Sequence, residues 1–336
     1  MLEQFIQNRI LSHLSFIPNE GQMELLQKLS RFIVSSDPRR AFILLGYAGT
    51  GKTSITAALV EAYKELHQKI VLLAPTGRAA KVISRYAHAP AYTIHKYIYR
   101  KKQLGEDIYN LSDNLHKHTL FVVDEVSMLS GMRDNASFGS GILLDDLIQY
   151  GFSGEGCSLL LLGDDAQLPP VGSTLSPALN SEYMKGYGLS VTSHILTDVA
   201  RQALDSGILE NANRVRRVAL AQNPLPASTW DLIVDSKDCK LLNGSELVEH
   251  LENSYSEVGE EDVIILTRTN RRANVYNQGI RSRLLWREED IETGDKLMVS
   301  KNNYFWTKDY EGIPFLANGD MMEIVRLRNW REMYGF

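Results

Sequence analysis

An α/β protein built on doubly wound parallel sheets is what this sequence predicts, on three observations. Short, near-continuous apolar runs recur through the first half of the chain, helical patterns separate them, and a glycine-rich loop directly follows the first run. A strand that is apolar at nearly every position is covered on both faces, which is the condition of a parallel sheet with helices above and below. Alternation of such strands with helices selects the doubly wound arrangement.

Leu2, Phe5, Ile6, Ile10 and Leu14 recur at helical spacing and predict an amphipathic helix within residues 1–18. Asn19 is placed to cap a second helix carrying Met23, Leu25, Leu26, Leu29, Phe32 and Ile33. That helix must end before Asp37-Pro38, because proline disfavours helical backbone in the residue preceding it. Strands follow at Phe42 to Leu45, Ile70 to Leu73, Leu120 to Val123 and Leu159 to Leu162, with helices beginning near Lys52, Arg78 and Ile142. The polar, aromatic stretch from Tyr97 to Lys117 breaks the alternation and reads as a small inserted subdomain. A second α/β region is expected over residues 189–290, with strands at Val191 to Leu196 and Val263 to Thr267 and helices around Ile208 to Leu220 and Arg271 to Leu285. From residue 291 the pattern turns β-like: Lys296 to Ser300 and Met321 to Leu327 flank a loop with Gly312, Pro314 and Asn318-Gly319, as at the start of a small barrel.

Composition narrows the classes. At 336 residues the chain suits roughly two domains. With 36 Lys and Arg against 41 Asp and Glu the formal charge is −5, which argues against a uniformly basic, histone-like binder but leaves room for a local basic groove. No stretch approaches the roughly 18 to 20 apolar residues of a membrane span, and Glu3, Gln4, Gln7, Asn8 and Arg9 interrupt what a signal peptide would keep apolar. Cys157 and Cys239 stand apart from each other and from any His pair, so neither a disulfide framework nor a zinc site is expected, and a reducing cytoplasm fits.

The loop after the first strand reads Gly46-Tyr47-Ala48-Gly49-Thr50-Gly51-Lys52-Thr53. Glycines let backbone N–H groups wrap phosphates, a lysine here reaches the β and γ oxygens, the hydroxyl of Thr53 suits Mg²⁺, and the following helix adds its positive end. Another strand ends in Asp124-Glu125, adjacent acids able to divide the labour: Asp124 in the metal shell, Glu125 orienting and deprotonating water. A third segment, Gly163-Asp164-Asp165-Ala166-Gln167-Leu168-Pro169-Pro170-Val171, offers in Gln167 a neutral donor and acceptor suited to a γ-phosphate or its attacking water; a bland Gly- and Pro-rich turn is the alternative. The absence of an Asn-Lys-x-Asp segment argues against GTP.

Gly46 to Thr53, Ala74-Pro75-Thr76-Gly77-Arg78-Ala79-Ala80, Thr93-Ile94-His95-Lys96, Asp124-Glu125-Val126-Ser127-Met128, Gly163 to Val171 and Leu196-Thr197-Asp198-Val199-Ala200-Arg201-Gln202 follow one another in an order that resembles superfamily 1B DNA helicases of the RecD and Dda type, which are AAA-type P-loop motors. The resemblance covers about Asn19 to Gln202 and persists more loosely in Thr267-Arg268-Thr269-Asn270-Arg271-Arg272, Gly294-Asp295-Lys296-Leu297-Met298 and Asn318-Gly319-Asp320. It implies P-loop NTPase, RecA-like doubly wound sheets in tandem: a first motor domain over residues 19–188 with a pin-like insertion at about 97–117, part of a second over 189–290, and the start of an SH3-like β barrel over 291–336. The implied activity is an ATP- and Mg²⁺-dependent DNA helicase moving 5′ to 3′ on single-stranded DNA, hydrolysing ATP at an interdomain site and meeting single/double-strand junctions.

Carried over position by position, the resemblance makes Gln22 the reader of the adenine edge and gives nucleotide binding to Gly46, Tyr47, Ala48, Gly49, Thr50, Gly51, Lys52 and Thr53. Metal falls to Thr53 and Asp124, and catalysis to Lys52, Glu125, Gln167 and Arg201, the last in the manner of an arginine finger. DNA contact falls to Pro75, Thr76, Gly77, Arg78, Thr93, His95 and Asn270, which suit phosphates better than base edges. Plainer readings stay open: a solvated Gln22, a salt-bridged Arg201, a core His95, and Tyr97, Tyr99 and Tyr109 as either a local mini-core or a stacking surface for a base. The family's His-Lys-x-Gln-Gly segment and its C-terminal Thr-Arg pair are missing, so the expectation is a fragment or a truncated member. A P-loop kinase, or a catalytically incomplete module that binds nucleotide or DNA, is the alternative.

Overall fold

The structure, a computed structural model, describes residues 1–47, 49–101, 109–133, 138–198, 206–219, 231–300, 303, 306, 316 and 319–328. It divides into two units, Met1–Arg201 with Val299–Asp320, and Gln202–Met298 with Met321–Phe336.

In the first unit, helices α1 (Leu2–Ser12) and α2 (Glu20–Val34) precede β1 (Arg40–Gly46), α3 (Lys52–Glu65), β2 (Lys69–Ala74), α4 (Gly77–Tyr86) and β3 (Ala91–Thr93). After α5 (Ile94–Ile98) the chain leaves the sheet through β4 (Tyr99–Lys101) and β5 (Tyr109–Leu111), then returns as β6 (Thr119–Val123), α6 (Leu143–Ser153), β7 (Ser158–Gly163), α7 (Ser181–Lys185) and β8 (Ser190–Leu196). Six strands form one sheet in the order β3-β2-β6-β7-β1-β8, every pairing parallel.

The period-two geometry of a strand sends alternate side chains to opposite faces, so continuous apolar runs feed two cores at once. Phe42, Leu44, Leu120, Val122, Leu160 and Leu162 face the layer holding Leu25, Leu29 and Leu59. Their neighbours Ile43, Phe121, Val123, Leu159 and Leu161 face the layer holding Ile94, Leu144, Leu147 and Ile148. Each fully buried Leu or Phe is worth about 1.5–3 kcal/mol, which is why the strands cannot slip register.

Two expectations change here. The strand Ser190–Leu196, assigned from sequence to a second region beginning at residue 189, is hydrogen-bonded to β1 from Arg40↔Ser190 to Gly46↔Leu196 and completes the first sheet. The helix expected as a separate element within 1–18 is part of the same core, with Ile10 fully buried beside α2 and α3. β3, which the sequence reading passed over, is a three-residue edge strand too short for a periodicity to register.

The insertion is a β4–β5 antiparallel hairpin, Tyr99↔Leu111 to Lys101↔Tyr109. Tyr97, Tyr99 and Tyr109 line its base as a mini-core: Tyr97 packs edge-on to Phe121 and Tyr150, and Tyr109 stacks on Phe138 at 4.6 Å.

The second unit contributes α8 (Gly207–Ala219), α9 (Leu247–Val258), α10 (Asn270–Arg283) and an antiparallel pair of β9 (Lys296–Met298) with β10 (Met321–Glu323). Helices α8 and α10 match expectation; α9 was not foreseen. Val263 to Thr267, expected as a strand, is not one, because among the described residues no strand lies beside it and Ile264 and Leu266 stand exposed. The parallel sheet expected of a second RecA-like domain is absent among the described residues of this unit, and of the expected barrel the described residues hold two short paired strands. Cys157 and Cys239 are both free thiols. No helix among the described residues is long and apolar enough to cross a membrane.

Candidate functional site

Because all six strands run the same way, the segments after β1, β6 and β7 emerge on one edge of the sheet, and these are the segments the sequence marks. β7 lies between β6 and β1, with Leu45 beside Gly163 and Val123 beside Leu161. That register sets the glycine-rich loop, the two acids and Gln167 at neighbouring strand ends.

The loop turns through Gly49 and Gly51, both left-handed at φ 78° and 92°. Thr50, fully buried, donates its hydroxyl to the Tyr47 carbonyl at 2.7 Å and holds the loop closed. α3 then begins at Lys52, whose ammonium donates to the carbonyls of Gly46 and Tyr47. Thr53 is exposed on the first turn of α3 and lines, with Lys52, Thr56 and Asp124, a cleft continuing between α3 and α4 to Ile83 and Tyr86. Ala48 lies outside the described residues.

Gln22 is buried and bonded both to this loop and to the start of α2. Its amide donates to the Thr50 carbonyl at 2.9 Å, while its oxygen accepts the Asn19 N–H at 3.0 Å and closes a capping box at the start of α2. The plain solvated reading of Gln22 is therefore excluded. One N–H and one lone pair of the amide stay uncommitted by these bonds, the pair that an adenine edge would use.

Asp124 follows β6, its N–H bonded to the Leu73 carbonyl and its Oδ1 accepting the Glu125 N–H at 2.9 Å. Burial, reinforced by the Glu125 charge and only partly offset by Lys52, pushes its carboxyl up to about 6. A partly buried carboxylate beside another acid is a place where a cation relieves two costs at once. The donor set fits a hard divalent ion: a carboxylate and the Thr53 hydroxyl on the rim of one cleft. Glu125 itself is left-handed at φ 55°, an arrangement that costs a non-glycine residue about 1–3 kcal/mol and collects at functional sites.

Two further residues belong to the site and were not singled out from sequence. Ser127, buried behind Glu125, donates its hydroxyl to Gln167 Oε1 at 3.3 Å, so the acid segment and the third segment are bonded to each other. Ser176, also buried, sets its hydroxyl 2.7 Å from the carbonyls of Val126 and Leu129 and braces the turn that carries the acids. Ser127 follows the two acids in sequence, but nothing in its type marks it; Ser176 is distant in sequence and gives no signal. Asp164 spends Oδ1 on the Ala166 N–H and shapes the turn bearing Gln167.

The candidate DNA contacts divide. Thr76 and Thr93 cap α4 and α5, accepting the N–H groups of Ala79 and Lys96 at 3.2 Å each, and Ala74 pairs with Thr93, so both helix starts sit on the same sheet edge. Thr93 is fully buried, which leaves its hydroxyl to the cap instead of a phosphate. Pro75 and Thr76 are partly exposed, Gly77 is buried, and Arg78 is exposed. His95 packs on Tyr99 and Phe138 at 5.8 and 5.2 Å. Asn270 is exposed at the start of α10 in the second unit, behind the Thr269 cap. Arg201 lies outside the described residues.

With that geometry in place, the comparisons fall into line. A family model described as AAA domain matches residues 18–221. The ATP-dependent RecD2 DNA helicase of Deinococcus radiodurans is 28% identical over 203 residues, 59% of this chain and 24% of that protein. The ATP-dependent DNA helicase dda of Enterobacteria phage T4 is 26% identical over 324 residues, 91% of this chain and 67% of its own. A solved Pif1 helicase from Bacteroides, in complex with ADP-AlF3 and ssDNA, covers 94% of this chain and 71% of its own at 16% identity and a TM-score of 0.43. The chain thus spans about a quarter of the first of these relatives and two thirds of the second. The family match covers more than half of the chain: this chain belongs to the AAA domain family, and it is similar to superfamily 1B helicases of the RecD and Dda type.

Proposed function

We propose that this protein is an ATP- and Mg²⁺-dependent DNA helicase that translocates 5′ to 3′ on single-stranded DNA. The observation carrying the proposal is the gathering of Lys52, Thr53, Asp124, Glu125 and Gln167 on the sheet edge that also bears the starts of α4 and α5. Phosphate oxygens of ATP take the Lys52 ammonium away from the Gly46 and Tyr47 carbonyls it now holds. Gln22 uses the remaining face of its amide on the adenine. Thr53 and Asp124 would hold Mg²⁺, which would neutralise phosphate charge and polarise the γ-phosphoryl group. Glu125 accepts a proton from the attacking water, and Gln167, steadied by Ser127, orients that water; two such groups around the loop favour hydrolysis over transfer to a small acceptor. Arg201 reaches the γ-phosphate, a role that rests on its place in the family motif.

Phosphates of the strand meet the exposed Arg78, the segment Pro75-Thr76-Gly77 at the start of α4, and His95; Asn270 adds a contact from the second unit. Backbone contacts of this kind are indifferent to sequence. The β4–β5 hairpin is read as a strand-separating element at junctions, and the second unit with β9 and β10 as parts of a second motor domain and a small barrel. The free thiols fit a reducing compartment such as the cytoplasm.

The test is ATP hydrolysis by the full-length protein with and without single-stranded DNA, beside Lys52→Ala and Glu125→Gln. DNA stimulation lost in both variants is expected; a wild-type rate that ignores DNA refutes the helicase reading. Unwinding of 5′-tailed but not 3′-tailed duplexes is expected for the polarity.

A further inference from the structure

Asp146 lies on α6 and is 2% exposed. A carboxylate that deep in a protein is retained only where donors satisfy it. The Tyr99 hydroxyl, at the first residue of β4, donates to Oδ2 at 2.6 Å, and the Ser140 N–H donates to Oδ2 at 3.0 Å and Oδ1 at 3.3 Å. Both donors belong to segments outside the parallel sheet. The residues of α6 that pack against the sheet are Leu144, Leu147 and Ile148, so the core does not call for an acid at position 146.

What those bonds hold is specific. Gly139 precedes Ser140 at φ 45°, and a Cβ there would run into Asp146 Oδ2 and approach Tyr99 Cε1 to 2.7 Å. Its neighbour Phe138 is thereby laid on Tyr109 of β5 at 4.6 Å and Tyr99 of β4 at 5.3 Å, and it meets the His95 ring edge-on at 5.2 Å. Gly139 N–H bonds the Tyr109 carbonyl at 2.8 Å. One buried carboxylate therefore fastens both strands of the hairpin base and the seat of His95 to α6. Burial and Asp146 hold the ionisation of the Tyr99 phenol far above the ordinary tyrosine range, so it keeps the proton that it donates to Asp146.

We propose that Asp146 is a positioning residue for strand engagement: it locks His95 and the hairpin base into one body, although it touches no DNA. This rests on the reading of His95 as a strand contact. The experiment uses the full-length protein and compares Asp146→Asn and Tyr99→Phe with Leu147→Ala, a neighbour on α6 that faces the sheet. The readouts are basal ATP hydrolysis, the concentration of single-stranded DNA that half-maximally stimulates it, the saturated rate, and amide exchange at residues 109–111. Expected for Asp146→Asn and Tyr99→Phe is a rise of about tenfold in the half-maximal DNA concentration, the factor one charge-assisted hydrogen bond carries, with basal and saturated rates within about twofold and faster exchange in β5. Leu147→Ala should slow both rates and leave the half-maximal concentration in place. Unchanged half-maximal concentration and unchanged exchange in both hairpin variants overturn the proposal. A wild-type protein indifferent to DNA refutes the helicase reading instead, and exchange in β5 then decides the lock by itself.

Discussion

Replacing Asp124 with Asn should stabilise the protein while removing its hydrolytic activity. Asp124 ionises at about 6 in the folded chain, against 3.8 for an ordinary aspartate, because burial and Glu125 disfavour its charge. The folded state therefore binds the proton more tightly than the unfolded one. Below about pH 4 both states are protonated and no cost arises; as pH rises toward 6 the unfolded state ionises first and stability falls, levelling off above 6. The full interval corresponds to an upper bound of about 3 kcal/mol, at about 1.36 kcal/mol per pH unit. Asn keeps an oxygen for the Glu125 N–H and carries no charge, so it should recover most of that cost at pH 8, a gain of about 5–10 °C in melting temperature for a unit of this size. Thermal unfolding of wild type and Asp124→Asn, each at pH 4.5 and pH 8 without nucleotide, measures it. Added Mg²⁺ should narrow the difference at pH 8 by stabilising only the wild type, and Asp124→Asn should hydrolyse ATP at least about a hundredfold more slowly, as expected when a metal ligand is lost. A stability difference that does not grow between the two pH values would refute the reasoning.

Three further outcomes follow from the packing. Gly51→Ala should lose about 2 kcal/mol and most nucleotide affinity, since Gly51 is left-handed and a Cβ there would lie 2.7 Å from Gln22 Nε2; calorimetric titration with ATP and a melt together check it. Ser127→Ala and Gln167→Ala should each lower kcat about tenfold with KM for ATP nearly constant, and the double variant should fall little further, because the two side chains act through one hydrogen bond; additive losses would show that they act separately. Leu160→Ala, at a fully enclosed site in the middle strand pair, should cost about 2–5 kcal/mol by guanidinium unfolding.

The first unit was legible because its strands are buried on both faces, and double burial writes itself into sequence as unbroken apolar runs such as Leu159 to Leu162. Strand order was not, since a run says nothing of its neighbours. Ser190 to Leu196 is half polar, with Ser190, Thr192, Ser193 and His194, because β8 is an edge strand, and that weaker apolar signature read as the beginning of something new. Val263 to Thr267 shows the opposite failure: β-branched, apolar residues suit a strand, but strand formation needs a partner, and none lies beside it among the described residues. At the site, residues whose chemistry is distinctive by type and spacing, Lys52, Thr53, Asp124 and Glu125, could be named in advance. The hydroxyls that hold them, Ser127 and Ser176, could not, because a serine reveals its role only through what it touches.

Three unusual local features sit together on this edge of the sheet, and the support around them tells against a chance grouping of charged residues. Gly51 starts a helix from a left-handed residue, Glu125 adopts that conformation with a side chain, and Asp124 keeps a carboxylate where water is scarce. The last two are unfavourable in isolation, and all three are held by elements whose own stability comes from elsewhere: Gln22 from the α2 capping box, Ser176 against the carbonyls of Val126 and Leu129, and the strand ends of β1 and β6 from two apolar layers. A solvated pair of acids at a strand end would need none of this support. Strain and desolvation persist only where the surroundings over-determine them, and here the surroundings do so at the segments that the proposed function brings to a phosphate, a cation and a water. On the proposed function, a bound cation would relieve the desolvation cost of Asp124, so that occupancy of the loop would act back on the acids.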